Sequence, residues 1–304
     1  MKKTIAIVMA LLMILSICSF SVAAAPEGTA ISSAAEFAAM AADGKYYLAN
    51  DITLDATYAG PFKGTLDGNG KTVTGLYRNV SANYAGLIGY LEGSGKVQNV
   101  TVADSYFCGD DYVGGVVGWN DGTVESCYNT GTVSGSLYIG GVVGYNTGTV
   151  ESCYNTGTVS GSNYVGGVAG RNADGTMSNC YNTGSVSDGN NVGGVVGVNN
   201  GTVTNCFYLD TCGAAGEGTA KTEAQFASGE VAWLLNGSTD EGELVWKQNI
   251  GTDAIPGFEG EIVSYSSKTG AYYNKGNHEH QYEAVVTDPT CEAGGYTTYT
   301  CSVC

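Results

Sequence analysis

The sequence predicts an all-β fold, a parallel β-helix closed by short capping helices at both ends. Three observations carry the prediction. A near-identical stretch occurs twice, GGVVGWNDGTVESCYNTGTVSGS over 114–136 and GGVVGYNTGTVESCYNTGTVSGS over 140–162, with Trp119 and Asp121 of the first replaced by Tyr145 and Thr147 in the second. Apolar blocks ending at Gly89, Gly118, Gly144, Gly170 and Gly197 are spaced by 29, 26, 26 and 27 residues, the period of one turn of a repeat array. Within a unit, short β-branched runs are bounded by Asn, Gly and Ser, and no unit holds a 3.6-residue apolar stripe long enough for a helix. Each unit therefore reads as about three short strands with three corners. Successive units laid at the ~4.8 Å strand spacing build a continuous parallel sheet on each side.

Taken in chain order, residues 1–25 have the basic, apolar and small-residue order of a secretory signal peptide, with cleavage expected after Ala23 or Ala24. A lipoprotein signal at Cys18 is the rival, and the bulky Ile17 counts against it. No later apolar stretch approaches the ~18 residues that span a bilayer, so no membrane insertion is expected after signal removal, and the localisation expected is secreted or cell surface. The formal charge is −17, and loss of Lys2 and Lys3 leaves 10 basic against 29 acidic residues. Such a chain repels nucleic acid and anionic lipid, so neither is an expected partner.

Residues 26–83 read as an N-terminal cap and the first coils: Ser33 with Glu36 three residues later is a helix start, ahead of the strand YYLANDITL. Residues 84–210 hold the repeats of about 26 residues. In a stack of coils each residue lies above its counterpart, so a residue that packs well on its own copy is favoured at every level. The expected ladders are Tyr112, Tyr138 and Tyr164; Asn120, Asn146, Asn172 and Asn199; and Tyr128, Tyr154 and Tyr181 beside Asn129, Asn155 and Asn182. Recent duplication without divergence explains the same identities.

Cys127, Cys153, Cys180 and Cys206 share one repeat position, which Val100 occupies in the coil before. The valine marks the position as inward and apolar, a structural ladder of small buried hydrophobes. Disulfides are the alternative that secretion encourages, but neighbouring strands hold Cβ atoms ~4.8 Å apart, beyond the ~3.5–4.5 Å a disulfide needs. Residues 211–272 read as a C-terminal cap, with Thr222 and Gln225 as a capping box and Phe226, Trp233, Leu234 and Leu235 available as cover. Residues 273–304 form a small Cys/His-containing module that stops at Cys304, and truncation is expected there. Cys291, Cys301, Cys304 and His280 (or His278) have the residue types of a zinc site without its usual second pair at fixed spacing. The alternative is a short hairpin module with ordinary thiols, and no cofactor is expected.

The blocks GLIG at 86–89 and GGVVG or GGVAG in the four later coils resemble the GLUG repeat of bacterial surface proteins, over roughly Tyr84 to Phe207. The first copy carries the leucine of that motif and the others carry valine. The segment YYLANDITL…PFKGTLDGNGKTVTGL is similar to the opening coils of secreted right-handed β-helix proteins, and the tail to short C-terminal modules of surface proteins from Gram-positive gut bacteria. The resemblance implies a right-handed β-helix at an exposed location. It implies little chemistry, because the repeat occurs in adhesin-like proteins and as an accessory region of some secreted peptidases.

HEH at 278–280 lacks the H-E-x-x-H spacing of a zinc peptidase, and the chain's two histidines, needed for a serine or cysteine triad, both lie outside the repeats. A polysaccharide lyase or hydrolase is the serious enzyme alternative, drawing on Asp51, Asp55, Asp67, Asp110, Asp111, Asp121, Glu125 and Glu151. Glu125 and Glu151 share a repeat position and would stack as like charges, which points to a solvated face, and Lys96 and Arg171 are the only cations of the five coils. The expected role is therefore a non-catalytic, adhesin-like binding or spacer module for host or bacterial surface glycans or proteins. Rows of Tyr112, Tyr138 and Tyr164 with Asn120, Asn146 and Asn172 are its candidate binding residues. The nonapeptide signature of calcium-binding β-rolls does not occur.

Overall fold

A computed structural model describes residues 25–79, 83–276, 282–287 and 296–301. The signal-like residues 1–24 and His278, His280, Cys291 and Cys304 lie outside these. The chain winds into a parallel β-solenoid whose strands form two eight-stranded and two six-stranded sheets. One coil runs Val117–Asn120, Thr123–Glu125, Tyr128–Asn129 and Thr132–Gly140 before the next begins at Val143. Every neighbouring pair of repeat strands is parallel and in register by repeat position, as in Thr123–Thr149, Tyr128–Tyr154 and Val133–Val159.

There are thus four strands per coil, where the sequence suggests three. The difference lies in the Ser-Gly-Ser segment, which reads as a turn but continues the strand Thr132–Gly140. Extended Gly135 suits the strand there because a Cβ would come within 2.8 Å of the Gly109 backbone carbonyl oxygen in the coil before. Ladder hydrogen bonds and this packing override the local turn preference of Ser and Gly. The extra residue of the 27-residue spacing falls in the turn Ala173–Asp174–Gly175, after which the register resumes at Thr176.

Inward positions form one continuous core, including Val97, Val124, Val150 and Met177 on one sheet and Val100, Cys127, Cys153 and Cys180 beside it. The four ladder cysteines are at most 3% exposed. Their thiols donate to the carbonyls of Glu125, Glu151, Ser178 and Thr204 at 3.1–3.3 Å, and burial pushes the Cys153 thiol well up. Each column follows a corner residue in the left-handed region, Asn99, Ser126, Ser152, Asn179 or Asn205, with φ from 49° to 54°. Ser and Asn are small and polar enough to hold that conformation.

Two columns of asparagine run through the interior, all with 0% exposure apart from the half-buried terminal Asn199. In one, the Nδ2 of Asn120, Asn146 and Asn172 donates to the Oδ1 of Asn146, Asn172 and Asn199 at 2.7–2.9 Å. In the other, Asn129 donates to Asn155 and Asn155 to Asn182, each at 2.9 Å. In this second column the same side chains close their own turns: Asn155 Oδ1 accepts from the Gly157 N–H at 3.2 Å and its Nδ2 donates to the Gly157 carbonyl at 2.8 Å. Each amide is thereby satisfied by its own turn and by its copies, which is what makes burial tolerable.

The second column sets the glycine pattern of the repeat. A Cβ at Gly141 would sit 2.2 Å from the Gly167 carbonyl oxygen of the next coil and 2.3 Å from Asn155 Cγ, and one at Gly115 or Gly167 would likewise meet the next coil's glycine carbonyl and Asn129 or Asn182. In the coil before, Val102 stands in the place of Asn129 and Leu87 follows a single glycine, Gly86. In that coil both the amide and the second glycine are replaced by apolar residues. At the far end Tyr208 takes the position after Asn182, with Gly194 against its ring.

Helix α1 (Ala34–Ala38) lies at the N-terminal end, capped by Ser33 Oγ, which accepts from the Glu36 N–H, and buries Phe37 in the solenoid core. Helix α2 (Glu223–Ala227) has the Thr222–Gln225 capping box, and α3 (Glu230–Leu235) follows it. These C-terminal helices cover the last coils from the side. In the outward column Tyr128, Tyr154 and Tyr181 stack ring on ring with Phe207 next in register, and Phe226, Leu235, Trp246 and Phe258 overlay the column as a second core. Tyr181 donates its hydroxyl to the Pro256 carbonyl at 2.5 Å and Asn205 Nδ2 to that of Leu234 at 2.8 Å. Antiparallel hairpins Val263–Ser266/Ala271–Asn274 and Tyr282–Thr287/Tyr296–Cys301 follow.

Substituting Asn155→Ala strands partners on two coils and in its own turn, and we expect a loss of about 3 kcal/mol, read as a lower denaturation midpoint at unchanged m-value. Cys108, Cys127, Cys153, Cys180, Cys206 and Cys212 are free thiols. The denatured, unreduced chain is therefore expected to titrate at least six thiols; fewer than two would mean that the ladder is oxidised.

Candidate functional site

The corner before each apolar block turns through a single residue with left-handed backbone: Tyr84, Tyr112, Tyr138, Tyr164 and Asn191, with φ of 61°, 60°, 61°, 53° and 56°. Asparagine tolerates this conformation, whereas for a bulky side chain it costs about 1–2 kcal/mol. The four tyrosines project outward and stack with centroids 5.0–5.2 Å apart and interplanar angles of 9–18°. Tyr84, at the end of the row, is 42% exposed. None of their four hydroxyls hydrogen-bonds to a described residue, so the ridge offers a line of unengaged donors and acceptors at coil spacing.

A second outward row flanks the first. Tyr90, Trp119, Tyr145 and Arg171 occupy one register position of successive coils. Trp119 lies 4.9 Å from the Tyr112 ring, and Tyr145 stands nearly perpendicular to Tyr112 and Tyr138 at 5.7 and 5.1 Å. The Arg171 guanidinium lies 5.9 and 5.8 Å from the Tyr138 and Tyr145 ring centroids, within cation–π range. Sequence comparison of the two near-identical units shows this row only as a Trp/Tyr difference. Its place beside the tyrosine ridge emerges once strand alternation points Trp119 out and Asn120 in.

Asp121 fixes the second row. Its carboxylate accepts from Tyr90 Oη at 2.6 Å, from Trp119 Nε1 at 2.5 Å and from the Thr147 hydroxyl. Burial pushes its pKa up, but the donors Thr147, Tyr90 and Trp119 together outweigh it and hold the group below the usual carboxylate value. The hydrogen bond to Asp121, reinforced by burial, pushes the Tyr90 phenol from 10.0 up to about 12.

Of the expected binding residues, Tyr112, Tyr138 and Tyr164 belong to this ridge, and the structure adds Tyr84, Tyr90, Trp119, Tyr145 and Arg171. Asn120, Asn146 and Asn172 do not: they are fully buried and spend their amides on one another, out of reach of a ligand. Four of the eight carboxylates weighed for hydrolysis, Asp51, Asp67, Asp121 and Glu125, are similarly engaged. Asp67 accepts from Gln98 and Asn99, Asp51 from the Thr72 N–H, and Glu125 pairs with Lys96 at 2.7 Å. Among the described residues no group of three or more His, Cys, Asp or Glu is placed to hold a metal ion, and no helix is long and apolar enough to cross a membrane.

The GLUG motif family model matches residues 109–134, 135–160 and 161–187, three consecutive coils of the solenoid. The leucine-bearing coil at Leu87 precedes these matches. The chain is also similar to Halomucin of Haloquadratum walsbyi, 41% identical over 78 residues. That stretch covers 25% of this chain and 1% of the relative, so the chain spans a very small part of it. No solved structure matches. The protein thus carries GLUG repeats built as a parallel β-solenoid.

Because Tyr90 gives up its proton less readily in the fold, its bond to Asp121 stabilises the protein below pH 10 and is lost as pH rises through about 12. For Asp121 the sign is opposite: its contribution is present above the ordinary carboxylate pKa and lost as pH falls through the lowered one. Asp121→Asn is expected to return Tyr90 towards 10.0, read by pH titration of tyrosinate absorbance against a Tyr90→Phe control.

Proposed function

We propose that this GLUG-repeat solenoid is an extracellular, surface-displayed, non-catalytic binding module of adhesin type, which holds a repetitive hydroxylated ligand such as a surface glycan along the Tyr84–Tyr164 ridge. The carrying observation is the retention of four tyrosines at corners whose backbone suits asparagine. Their stacking contributes about 0.5–1.5 kcal/mol per pair, which roughly offsets the conformational cost at each corner. Packing on one another and on Trp119, Tyr145 and Arg171 accounts for the rings but uses none of the four hydroxyls, and a row of free phenols needs another reason to exist. Support for an exposed location comes from the signal-like start, the net charge of −17 and the GLUG motifs. The likeness to a protein named Halomucin fits a surface repeat protein.

A ligand on this ridge meets ring edges and hydroxyls, because the ring faces are turned on one another, with the Trp119 and Tyr145 rings as a side wall. Recognition then follows from hydroxyls repeated at coil spacing, which suits a polymer laid along the solenoid axis. The same rigid stack serves equally as a spacer, and the two readings separate in one assay. The protein is incubated with insoluble polysaccharides, mucin and bacterial cell wall, and both retained protein and released oligosaccharide are measured. The variant Tyr112→Asn/Tyr138→Asn/Tyr164→Asn is expected to keep its melting temperature within a few degrees and to lose retention by roughly tenfold or more, ~1.4 kcal/mol. Undiminished retention would leave the ridge structural, and released fragments would make the protein an enzyme.

A further inference from the structure

A concave feature lies away from the ridge. Between the solenoid and the C-terminal region runs a groove of about 960 Å³. Its position follows from the covered aromatic column. Phe207, Tyr181 and Tyr154 of that column are overlaid by the C-terminal core, but Tyr128 at its other end is only partly covered. One face of the Tyr128 ring stacks on Tyr154 at 4.4 Å and 9°, and Phe258 meets the ring edge-on at 6.0 Å. The residue next in register on the other side is Thr101, too small to continue the stack; it lines the groove beside Tyr128 with 6% of its own surface open. The column therefore ends on an aromatic face turned into a cavity.

Around that face stand polar groups held in place by the fold. Asp67 accepts from Gln98 Nε2 at 2.8 Å and from Asn99 Nδ2 at 3.1 Å, and Glu125 is paired with Lys96 at 2.7 Å. Asp67, Asn99 and Glu125 all border the groove. Its charged lining otherwise consists of Asp253 and Glu259 against Lys247, a net negative wall that disfavours an anionic ligand. A flat apolar face beside fixed carboxylate and amide groups matches a sugar ring, which presents C–H groups on its face and hydroxyls around its rim.

We propose that this groove is a second binding site, independent of the ridge, in which a neutral hexose or pentose unit of an oligosaccharide stacks on the free face of Tyr128 and extends the aromatic column by one ring. Thr101 leaves the room for it, and Asp67, Asn99 and Glu125 accept and donate hydrogen bonds at its rim.

The test titrates the full chain by calorimetry with cellohexaose, maltohexaose, mannohexaose and xylohexaose, and with oligogalacturonate as the anionic comparison. In parallel, 3-fluorotyrosine-labelled protein is followed by fluorine NMR, with the Tyr128 resonance assigned as the one missing from Tyr128→Phe. At least one neutral oligosaccharide is expected to bind and shift the Tyr128 resonance. Thr101→Tyr, which places the protein's own ring in the vacant level, is expected to weaken that binding by roughly tenfold or more, while the ridge variant leaves it unchanged. The NMR readout on the unsubstituted chain stands even where Thr101→Tyr folds poorly. No response of Tyr128 to any neutral oligosaccharide would overturn the groove, as would a response to oligogalacturonate alone. Binding lost in the ridge variant but kept in Thr101→Tyr would overturn it while leaving the ridge reading intact.

Discussion

The constraint on which the structure depends is the stacking of identical positions in register, and the buried amide columns enforce it most strictly. An inward valine tolerates a small displacement of its neighbour. An inward asparagine does not, because its Nδ2 must reach the Oδ1 of the next copy while its other contacts close its own turn. A one-residue slip along a strand would turn these amides outward and leave their partners unsatisfied. The inserted residue of the 27-residue coil is accordingly absorbed in the turn at 173–175, and the strands on either side keep their pairing.

From the amide columns follows the sequence signature. The second glycine of GGVVG is wedged between the next coil's glycine carbonyl and the second column, which together leave no space for a Cβ at Gly115, Gly141 or Gly167. The coil with Val102 in the column carries Leu87 after one glycine, so the two forms of the motif within this chain are two solutions to one packing problem. Towards the N-terminus, Leu91 and Phe62 occupy the level of the first column, and the core there is apolar throughout. The solenoid changes from a hydrocarbon interior to an amide-threaded one along its length.

Much of this was legible in the sequence, for a physical reason: in a solenoid, contacts in space are contacts at a fixed sequence interval, so the alignment of Tyr112 with Tyr138 and of Glu125 with Glu151 reads directly as a contact. Direction was harder to read. Asparagine between glycine-rich segments reads as a corner residue open to solvent, and only the alternation along Val117–Asn120 sets Trp119 outside and Asn120 inside. The Ser-Gly-Ser segments read as turns because local preference has no access to the ladder that extends them. The lateral cover of Tyr154 and Tyr181 by Trp246 and Phe258 was hidden for another reason: it joins the periodic part of the chain to a part with no period.

The hydrogen bonds of the amide columns also have a direction. From Asn120 to Asn172 every Nδ2 donates towards the C-terminal neighbour, and each coil receives on one side what it gives on the other. A coil is therefore a unit of inheritance as well as of structure. A genetic event that copies or deletes one whole coil leaves every interior partnership between the remaining coils intact, and changes the molecule's reach by a single strand spacing, ~4.8 Å. Reach then becomes a quantity that selection can adjust in equal steps, by recombination between near-identical stretches of the gene, without a new core being devised at each step.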